Sequence, residues 1–413
     1  PKIGDVTRVA KVTGAGSVSR TDKRYQVNGT DLGIIWESAP DQVAVAFGDT
    51  VGKGFQPPGG QGDDWRSNVL GFSSDRNLSD GMSLDSMVQD SRCHAAELLD
   101  SRKLDNIEIT TIPTSGFAVG NRQYMSYMSI RTWNSIPATW WTNYGGIAYS
   151  DDGGSTWTKD PYAKWDNIFG VTKFQVASMV PAGDFVYMFG TPNTRLGAIG
   201  LARVPAADVL NTSAYQYWQN GNWTPVGGYT EATPIVDAPA AELSVRYEEA
   251  TGKWQMTYLD TSKAAIVLRE SDSPQGAWSG GAPMVSAAEY PELYGGFIHP
   301  WSSGDELYFT MSTWSDYNVF LMKADLARST RALFGSSRNQ KGARAAEPPT
   351  AGRAGAGRCS TASTGRCAGS STAWGRAVCG CGRRASTATG WTCPTHCGCR
   401  PVRTARSTLE GRA

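Results

Sequence analysis

The strongest constraint on the fold is a repeat of strand-like segments along residues 1–328. Runs rich in branched and aromatic residues, separated by turns containing Gly, Pro and Asp, are typical of β-strands. These runs fall into five groups of three, and a repeat of this kind is typical of β-propellers, whose blades bury their faces against one another. The innermost strands are expected in DLGIIWE (31–37), SGFAVGN (115–121), FQVASMV (174–180), ELSVRYE (242–248) and GGFIHPW (295–301).

We therefore predict an all-β fold, a five-bladed β-propeller over residues 1–328, in which RVAKVTG (8–14) closes the last blade as its outer strand. A short helical insertion is expected at 90–103, where Cys93 and His94 would pack rather than bind a metal. SDDGGSTW at 150–157 matches the Asp-box, S-x-D-x-G-x-T-W, a turn common in propellers and uninformative about function. Asp152 and Trp157 would lock this turn at the outer rim.

Residues 329–413 form a different kind of sequence. They contain thirteen Arg and one Lys against two Glu, a net charge of about +12, and seven of the eight Cys. The Cys spacing lacks the paired C-x₂-C arrangement of common zinc modules, and the few aromatic residues do not form a nucleic-acid platform with the arginines. We predict a basic low-complexity tail that is disordered or translated out of frame, with a small working domain as the remaining alternative.

Removal of residues 329–413 is expected to leave folding and activity intact. The tail contributes no strand to the five groups, and its composition cannot bury enough apolar surface to offset the entropy lost on ordering. Thermal melting of the shortened chain tests this expectation. Loss of a cooperative transition would contradict it.

The composition of residues 1–328 excludes several classes of site. One Cys and two His (Cys93, His94 and His299) leave no material for a His-dependent nucleophilic triad or a His/Cys metal centre. The region is acidic, rich in Trp, and has no apolar run long enough to span a membrane. We expect a secreted, monomeric bacterial enzyme whose export signal was removed before Pro1, with no required cofactor and no nucleic-acid or membrane partner.

The first hairpin raises a question about charge. If Glu37 opposes Val43 in an antiparallel pair, Asp31 falls opposite Asp49, and like charges in that position destabilise a sheet. The start of each inner strand and the end of its partner should meet near the axis. The predicted pocket therefore contains Asp31, Asp49, Arg131, Gln175, Thr191, Glu242, Asp260 and His299. Four tryptophans on or beside pocket-side loops, Trp133, Trp140, Trp141 and Trp301, are candidates for stacking on sugar rings.

A pocket rich in carboxylates suits glycoside hydrolysis, in which one acid protonates the leaving oxygen and a second carboxylate attacks or activates water. Asp31 is expected to be the nucleophile or base, and a short separation from Asp49 indicates a retaining mechanism. Glu242 is the alternative partner in an inverting scheme. Calcium is another possible occupant of clustered carboxylates, and a lectin is the alternative of another class. A sialidase is disfavoured because the three arginines that its pocket needs are not evident.

Four spaced motifs resemble one family. They are GTDLG (29–33), FGDT (47–50), ELSVRY followed by GKWQMTYL (242–259), and GGFIHPW (295–301). Over roughly residues 20–328 the chain resembles the actinobacterial endo-D-arabinanases, glycoside hydrolases long known only as a domain of unknown function. The resemblance implies internal cleavage of α-D-arabinofuranosyl linkages in mycobacterial arabinogalactan and lipoarabinomannan, with Asp31 and Asp49 as the catalytic pair. An endo-L-arabinanase or another furanosidase is the nearest alternative.

Overall fold

The computed structural model describes residues 1–225 and 229–327, and the predicted tail at 329–413 lies outside them. The described chain is nearly all β, which confirms the predicted fold class. Its helical elements are α1 (Thr21–Arg24) and two 3₁₀ turns, Ala206–Asp208 and Thr212–Ala214. None of the helices in this part of the chain has the length and apolarity needed to cross a membrane.

Twenty-five strands follow one another along the described chain. In chain order they are β1 (Ile3–Lys11), β2 (Leu32–Ala39), β3 (Gln42–Phe47), β4 (Thr50–Val51), β5 (Trp65–Arg66), β6 (Val69–Ser73), β7 (Ser86–Met87), β8 (Gln89–Ser91), β9 (His94–Ala95), β10 (Thr110–Val119), β11 (Arg122–Trp133), β12 (Trp140–Ser150), β13 (Thr158–Asp166), β14 (Val176–Ala182), β15 (Phe185–Thr191), β16 (Gly197–Pro205), β17 (Gln216–Gln219), β18 (Asn222–Thr224), β19 (Val236–Glu248), β20 (Lys253–Asp260), β21 (Ala265–Ser271), β22 (Ala282–Ser286), β23 (Leu293–Ile298), β24 (Glu306–Thr313) and β25 (Asn318–Leu326).

The strands form antiparallel sheets in which most neighbours are close in chain order, with β1 as the exception. Three sheets have four strands each, β2-β3-β6-β7, β10-β11-β12-β13 and β23-β24-β25-β1. The N-terminal strand β1 pairs with β25, as predicted for the segment that closes the last repeat. A nine-stranded sheet combines β14-β15-β16 with β19-β20-β21-β22 through a short pairing of β16 with β19, and β17 and β18 extend it beside β16. Two small sheets, β4-β5 and β8-β9, complete the list.

The innermost strands pack against one another in a closed series. Strand β2 contacts β10 and β23, β14 contacts β10 and β19, and β19 contacts β23. The largest core cluster joins side chains from all of these sheets, among them Trp36, Tyr127, Phe189, Tyr258 and Phe297. Burial of such large apolar side chains is the main stabilising contribution, at about 25 cal/mol per Å² removed from water. The contacts therefore link all five innermost strands in one closed set.

The Asp-box between β12 and β13 has the predicted hydrogen bonds. Asp152 Oδ1 accepts from the Thr156 backbone N–H at 2.9 Å and from the Ser150 hydroxyl at 2.8 Å. Trp157 Nε1 donates to the Gly154 carbonyl at 2.9 Å, and its ring packs edge-on against Trp36 with centroids 6.4 Å apart. The motif thus fixes a turn and carries no site chemistry.

The predicted helix at 90–103 is wrong. This segment contains part of β8, all of β9 and a loop, and Cys93 takes a left-handed φ of 59°. The Asn68 side chain accepts from the backbone N–H groups of Leu98 and Leu99 at 3.0 and 2.9 Å, which holds the loop extended. Tertiary contacts therefore override the local helical preference. Cys93 is buried, as predicted for a packing residue.

Candidate functional site

The hairpin of β2 and β3 has the predicted register over most of its length. Glu37 lies opposite Val43, and the pairing holds as far as Ile34. The register then shifts near the start of β2, where Leu32 and Gly33 have left-handed φ values of 70° and 85°. The shift is a β-bulge, a feature that often occurs next to active sites because it redirects a side chain.

Beyond the bulge, Gly48 lies across from Asp31. The Gly48 N–H donates to the Asp31 carbonyl at 3.2 Å. The predicted direct opposition of Asp31 and Asp49 is therefore wrong by one residue, because the apolar pattern contains no signal for the bulge. The two carboxyl groups still interact: after burial, the charge of Asp49 is the largest influence raising the pKa of Asp31.

The Asp31 side chain is buried, and its two carboxyl oxygens differ in their hydrogen bonds. The Tyr294 hydroxyl donates to Oδ2 at 3.0 Å, whereas Oδ1 is buried without a hydrogen-bond partner among the described residues. The Oδ1 atom lies over Gly48, so close that a Cβ at residue 48 would be 2.3 Å from it. Burial, and then the charge of Asp49, raise the pKa of Asp31 to about 8. This carboxyl is therefore protonated near neutral pH.

The Asp49 side chain is less buried than that of Asp31 and accepts more hydrogen bonds. Thr110 Oγ1 and Trp65 Nε1 donate to its Oδ1 at 2.6 and 2.8 Å. Removal from water raises the pKa of Asp49 to about 6, and the two donors limit the rise because they favour the ionised form. Lys103 Nζ lies 4.8 Å from the centre of the Trp65 ring, which packs the indole in place. Asp49 is therefore ionised near neutral pH.

Glu242 is the third carboxylate of this region. Arg195 binds its Oε1 through Nε at 2.8 Å and Nη2 at 2.6 Å, while Oε2 is buried without a hydrogen-bond partner in the described chain. The backbone of Glu242 has a left-handed φ of 47° at a register shift within β19, a strained conformation that often marks functional sites. Arg195 Cζ also lies 5.2 Å from the centre of the Tyr294 ring. The charge of Arg195 lowers the pKa of Asp31, whereas the charge of Glu242 raises it. We call Asp31, Asp49 and Glu242 the acid cluster.

Three other predicted pocket residues are buried near strand ends. Gln175 is buried with both ends of its amide bonded, to the Thr142 hydroxyl at 2.7 Å and the Trp165 carbonyl at 2.8 Å. Asp260 is buried and accepts hydrogen bonds from the turn that follows it. Thr191 is buried at the end of β15, and its hydroxyl has no partner among the residues described. These side chains support the strand ends and do not bond to the acid cluster.

The remaining predicted residues make their hydrogen bonds outside the acid cluster. Arg131 is exposed and donates to the Asn106 carbonyl at 3.0 Å. His299 follows the end of β23, where burial lowers its pKa to about 3. Trp301 Nε1 donates at 2.7 Å to Glu37, which lies at the turn end of the first hairpin. The structure thus places His299 and Trp301 at the opposite end of the sheets from Asp31, because β23 begins earlier than predicted.

The sequence reasoning missed four residues whose side chains hydrogen-bond to the carboxyl groups of the acid cluster. Thr110 begins β10 five positions before the predicted strand, and Tyr294 lies near the start of β23. Extending both strands toward their N-termini would have found these two. Trp65 and Arg195 have no such signal, because Trp65 lies in a two-residue strand and Arg195 in the loop between β15 and β16.

The geometry supports proton transfer chemistry. One buried carboxyl with a pKa of about 8 beside another with a pKa of about 6 provides an acid and a base at the same pH. Within residues 1–225 and 229–327, no group of three or more His, Cys, Asp or Glu is placed to hold a metal ion.

Comparison with known proteins places the chain among relatives. It is 32% identical over 338 residues to notoamide biosynthesis cluster protein J from Aspergillus sp. (strain MF297-2), covering 77% of this chain and 86% of the relative. It is 33% identical over 321 residues to protein J' of Aspergillus versicolor, covering 73% and 84%. A Bacteroides ovatus ATCC 8483 structure, provisionally described as a hydrolase, matches with a TM-score of 0.51 at 13% identity, covering 74% of this chain and 87% of that one, which shows a shared fold.

A family model also matches residues 16–323, which is more than half of the chain. The matched range contains all of the acid cluster and the residues that hydrogen-bond to it. On this match and on the similarity to the Aspergillus proteins, the chain belongs to the family described as domain of unknown function DUF4185.

Proposed function

We propose that the protein is a glycoside hydrolase, an endo-D-arabinanase that cleaves α-D-arabinofuranosyl linkages in arabinogalactan and lipoarabinomannan. The observation that carries the proposal is the pair of neighbouring carboxyl groups with different pKa values, about 8 for Asp31 and about 6 for Asp49. Two carboxyl groups in opposite protonation states are what glycosidic cleavage requires. Since these substrates are cell-envelope polymers, the enzyme acts outside the cell. We propose further that it acts as a monomer and without a cofactor.

The roles follow from the environments of the two side chains. Asp31 holds its proton and serves as the general acid toward the leaving oxygen. Asp49 is ionised and serves as the nucleophile or as the base that activates water, with Thr110 and Trp65 fixing its Oδ1. This assignment reverses the role expected for Asp31 from its place in the strand, because burial outweighs position along the axis.

The choice of substrate rests on the sequence resemblance. Asp31 and Asp49 fall within GTDLG and FGDT, two of the motifs shared with the endo-D-arabinanases. The name of the Aspergillus relatives refers to notoamide biosynthesis and states neither a reaction nor an arabinan, so it supports no substrate. An endo-L-arabinanase or another furanosidase is the nearest alternative, and a non-catalytic glycan-binding protein is the alternative of another class.

The proposed architecture is a five-bladed propeller. Its support is the closed series of contacts among β2, β10, β14, β19 and β23, each of which begins an antiparallel run of strands. In this arrangement Asp31, just before β2, and Glu242, at the register shift within β19, lie near the common axis.

Product analysis tests the proposed function. The protein is incubated separately with mycobacterial arabinogalactan and with plant L-arabinan, and the products are sized and assayed for new reducing ends. We expect a ladder of oligosaccharides from the D-arabinan. Products from the plant polymer alone would contradict the proposed substrate, and binding without new reducing ends would favour the glycan-binding alternative.

The pH dependence of kcat/KM should be bell-shaped. Activity rises as Asp49 ionises near pH 6 and falls as Asp31 loses its proton near pH 8, since the active form needs one group ionised and the other protonated. Initial rates between pH 4 and pH 10 in buffers of constant ionic strength measure the two limbs. A profile that keeps rising above pH 9 would exclude Asp31 as the acid.

A further inference from the structure

Two exposed tryptophans lie on the sheets that flank the acid-bearing hairpin. Trp314 is 48% exposed in the turn between β24 and β25, and Trp133 is 47% exposed at the end of β11. Strand β2, which follows Asp31, packs against β10 of one of these sheets and β23 of the other. Trp is among the residues most enriched at binding hot spots.

Trp314 is a fixed platform connected to Asp49. A Cβ on Gly59 would lie 2.4 Å from Trp314 Cζ2, so the glycine backbone packs directly against the indole. The Gly59 N–H also donates to the Trp314 carbonyl at 2.8 Å. The Trp314 ring packs edge-on against Tyr317 with centroids 5.6 Å apart, and the Tyr317 hydroxyl donates to the Asp49 carbonyl at 3.0 Å.

Trp133 is connected to Asp31 by a second series of contacts. Its ring packs edge-on against buried Trp140 with centroids 6.0 Å apart. Arg195 Cζ lies 5.5 Å from the Trp140 ring and 5.2 Å from the Tyr294 ring, and Tyr294 donates to Asp31. The two platforms are therefore joined to different members of the acid cluster.

A third exposed indole lies at the start of β12, one residue after Trp140. Trp141 is 36% exposed, and a Cβ on Gly170 would lie 2.8 Å from its Cη2. The glycine backbone thus supports this indole as Gly59 supports Trp314. Both glycines have left-handed φ values, 68° and 76°, which a residue with a Cβ adopts only with strain.

We propose that Trp314 and Trp133 bind two parts of the same glycan chain, one on each side of the acid cluster. The inference rests on the proposed function and adds the mode of binding: sugar rings stack on an indole before and after the scissile bond. The substrate class is then a polysaccharide long enough to contact both platforms, and cleavage falls inside the chain. A short oligosaccharide contacts one platform, so only one indole adds to its binding affinity.

Matched variants test the two platforms. Trp314→Ala and Trp133→Ala are compared with Tyr162→Ala, an 82% exposed aromatic on β13, the outer strand of its sheet. We expect each Trp variant to raise KM for the D-arabinan polymer about tenfold, while kcat/KM on a short arabino-oligosaccharide falls less in at least one of them. Trp314→Phe and Trp133→Phe should restore part of the affinity, and Tyr162→Ala should match the parent enzyme.

A binding measurement separates this inference from the proposed function. Calorimetric titration of D-arabinan into the Asp49→Asn enzyme, with and without each Trp substitution, reports affinity without turnover. If the polymer is cleaved and the Trp variants bind it as tightly as the parent, the two-platform inference is overturned and the proposed function stands. If the polymer binds through both tryptophans and no enzyme form cleaves it, the proposed function fails and only the binding of one glycan by both tryptophans stands. Absence of both binding and cleavage overturns both.

Discussion

Asp49→Asn and Asp31→Asn are each expected to lower kcat by about 100-fold or more. Asp49→Asn removes the ionised carboxylate that attacks or activates water, and Asp31→Asn removes the proton donated to the leaving oxygen, a contribution of about 10²–10⁴ in rate. Release of reducing ends from D-arabinan at pH 7 measures the loss. Asp237→Asn, which changes an exposed carboxylate on β19, is the matched control and should retain parent activity.

The same variants should not lower the melting temperature. Both carboxyl groups have raised pKa values, so the folded state favours their protonated forms, and stability falls as pH rises through about 6 for Asp49 and about 8 for Asp31. A neutral amide removes that cost, and the gain in melting temperature for Asp31→Asn should be larger at pH 9 than at pH 5. If Asp49→Asn stays active while Glu242→Gln is inactive, Glu242 replaces Asp49 as the partner of Asp31.

Most of the sheet structure was predictable because strand periodicity is a local signal. The fifteen predicted strand segments correspond to the first three strands of each run, and RVAKVTG lies in and just after β1. The helix at 90–103 failed because its backbone is held by long-range contacts, such as the one from Asn68 to Leu98, that no local pattern encodes.

The acid cluster was predictable in part. The positions of Asp31 and Asp49 follow from the hairpin and the resemblance, whereas the contacts of Tyr294 with Asp31 and of Thr110 with Asp49 depend on where neighbouring strands begin. The order of the two pKa values depends on burial and hydrogen-bond donors, which are properties of the folded chain. Sequence alone therefore selects the two residues, and the roles that we propose differ from those expected from strand position.

The bulge at Leu32 and Gly33 also removes the sequence argument for a retaining mechanism. That argument took Asp31 and Asp49 as directly opposed, which would keep the carboxyl groups close together. Since Gly48 occupies the position across from Asp31, the separation is set by side-chain rotamers and not by strand pairing. The anomeric configuration of the first-formed product, followed by NMR, decides between retention and inversion.

Gly48→Ala is expected to lower kcat about 100-fold without preventing folding. The new Cβ would lie 2.3 Å from Asp31 Oδ1 and 3.1 Å from Leu32 Cδ1, so the Asp31 carboxyl must rotate away from its bond with Tyr294. A displacement of about 1 Å at a reacting group costs about 10²-fold in rate. The rotated carboxyl would also lose the enclosure that raises its pKa, so the alkaline limb of the pH profile should move to lower pH.

Gly280→Ala is the control for this substitution, because a Cβ at residue 280 meets no atom within 4 Å. Cooperative melting of both variants separates a misplaced acid from a misfolded protein. Parent-like activity in Gly48→Ala, with an unmoved alkaline limb, would mean that the proton donor is not Asp31 in the position seen beside Gly48. In that case the acid must be sought at Glu242, whose buried Oε2 has no hydrogen-bond partner among the described residues.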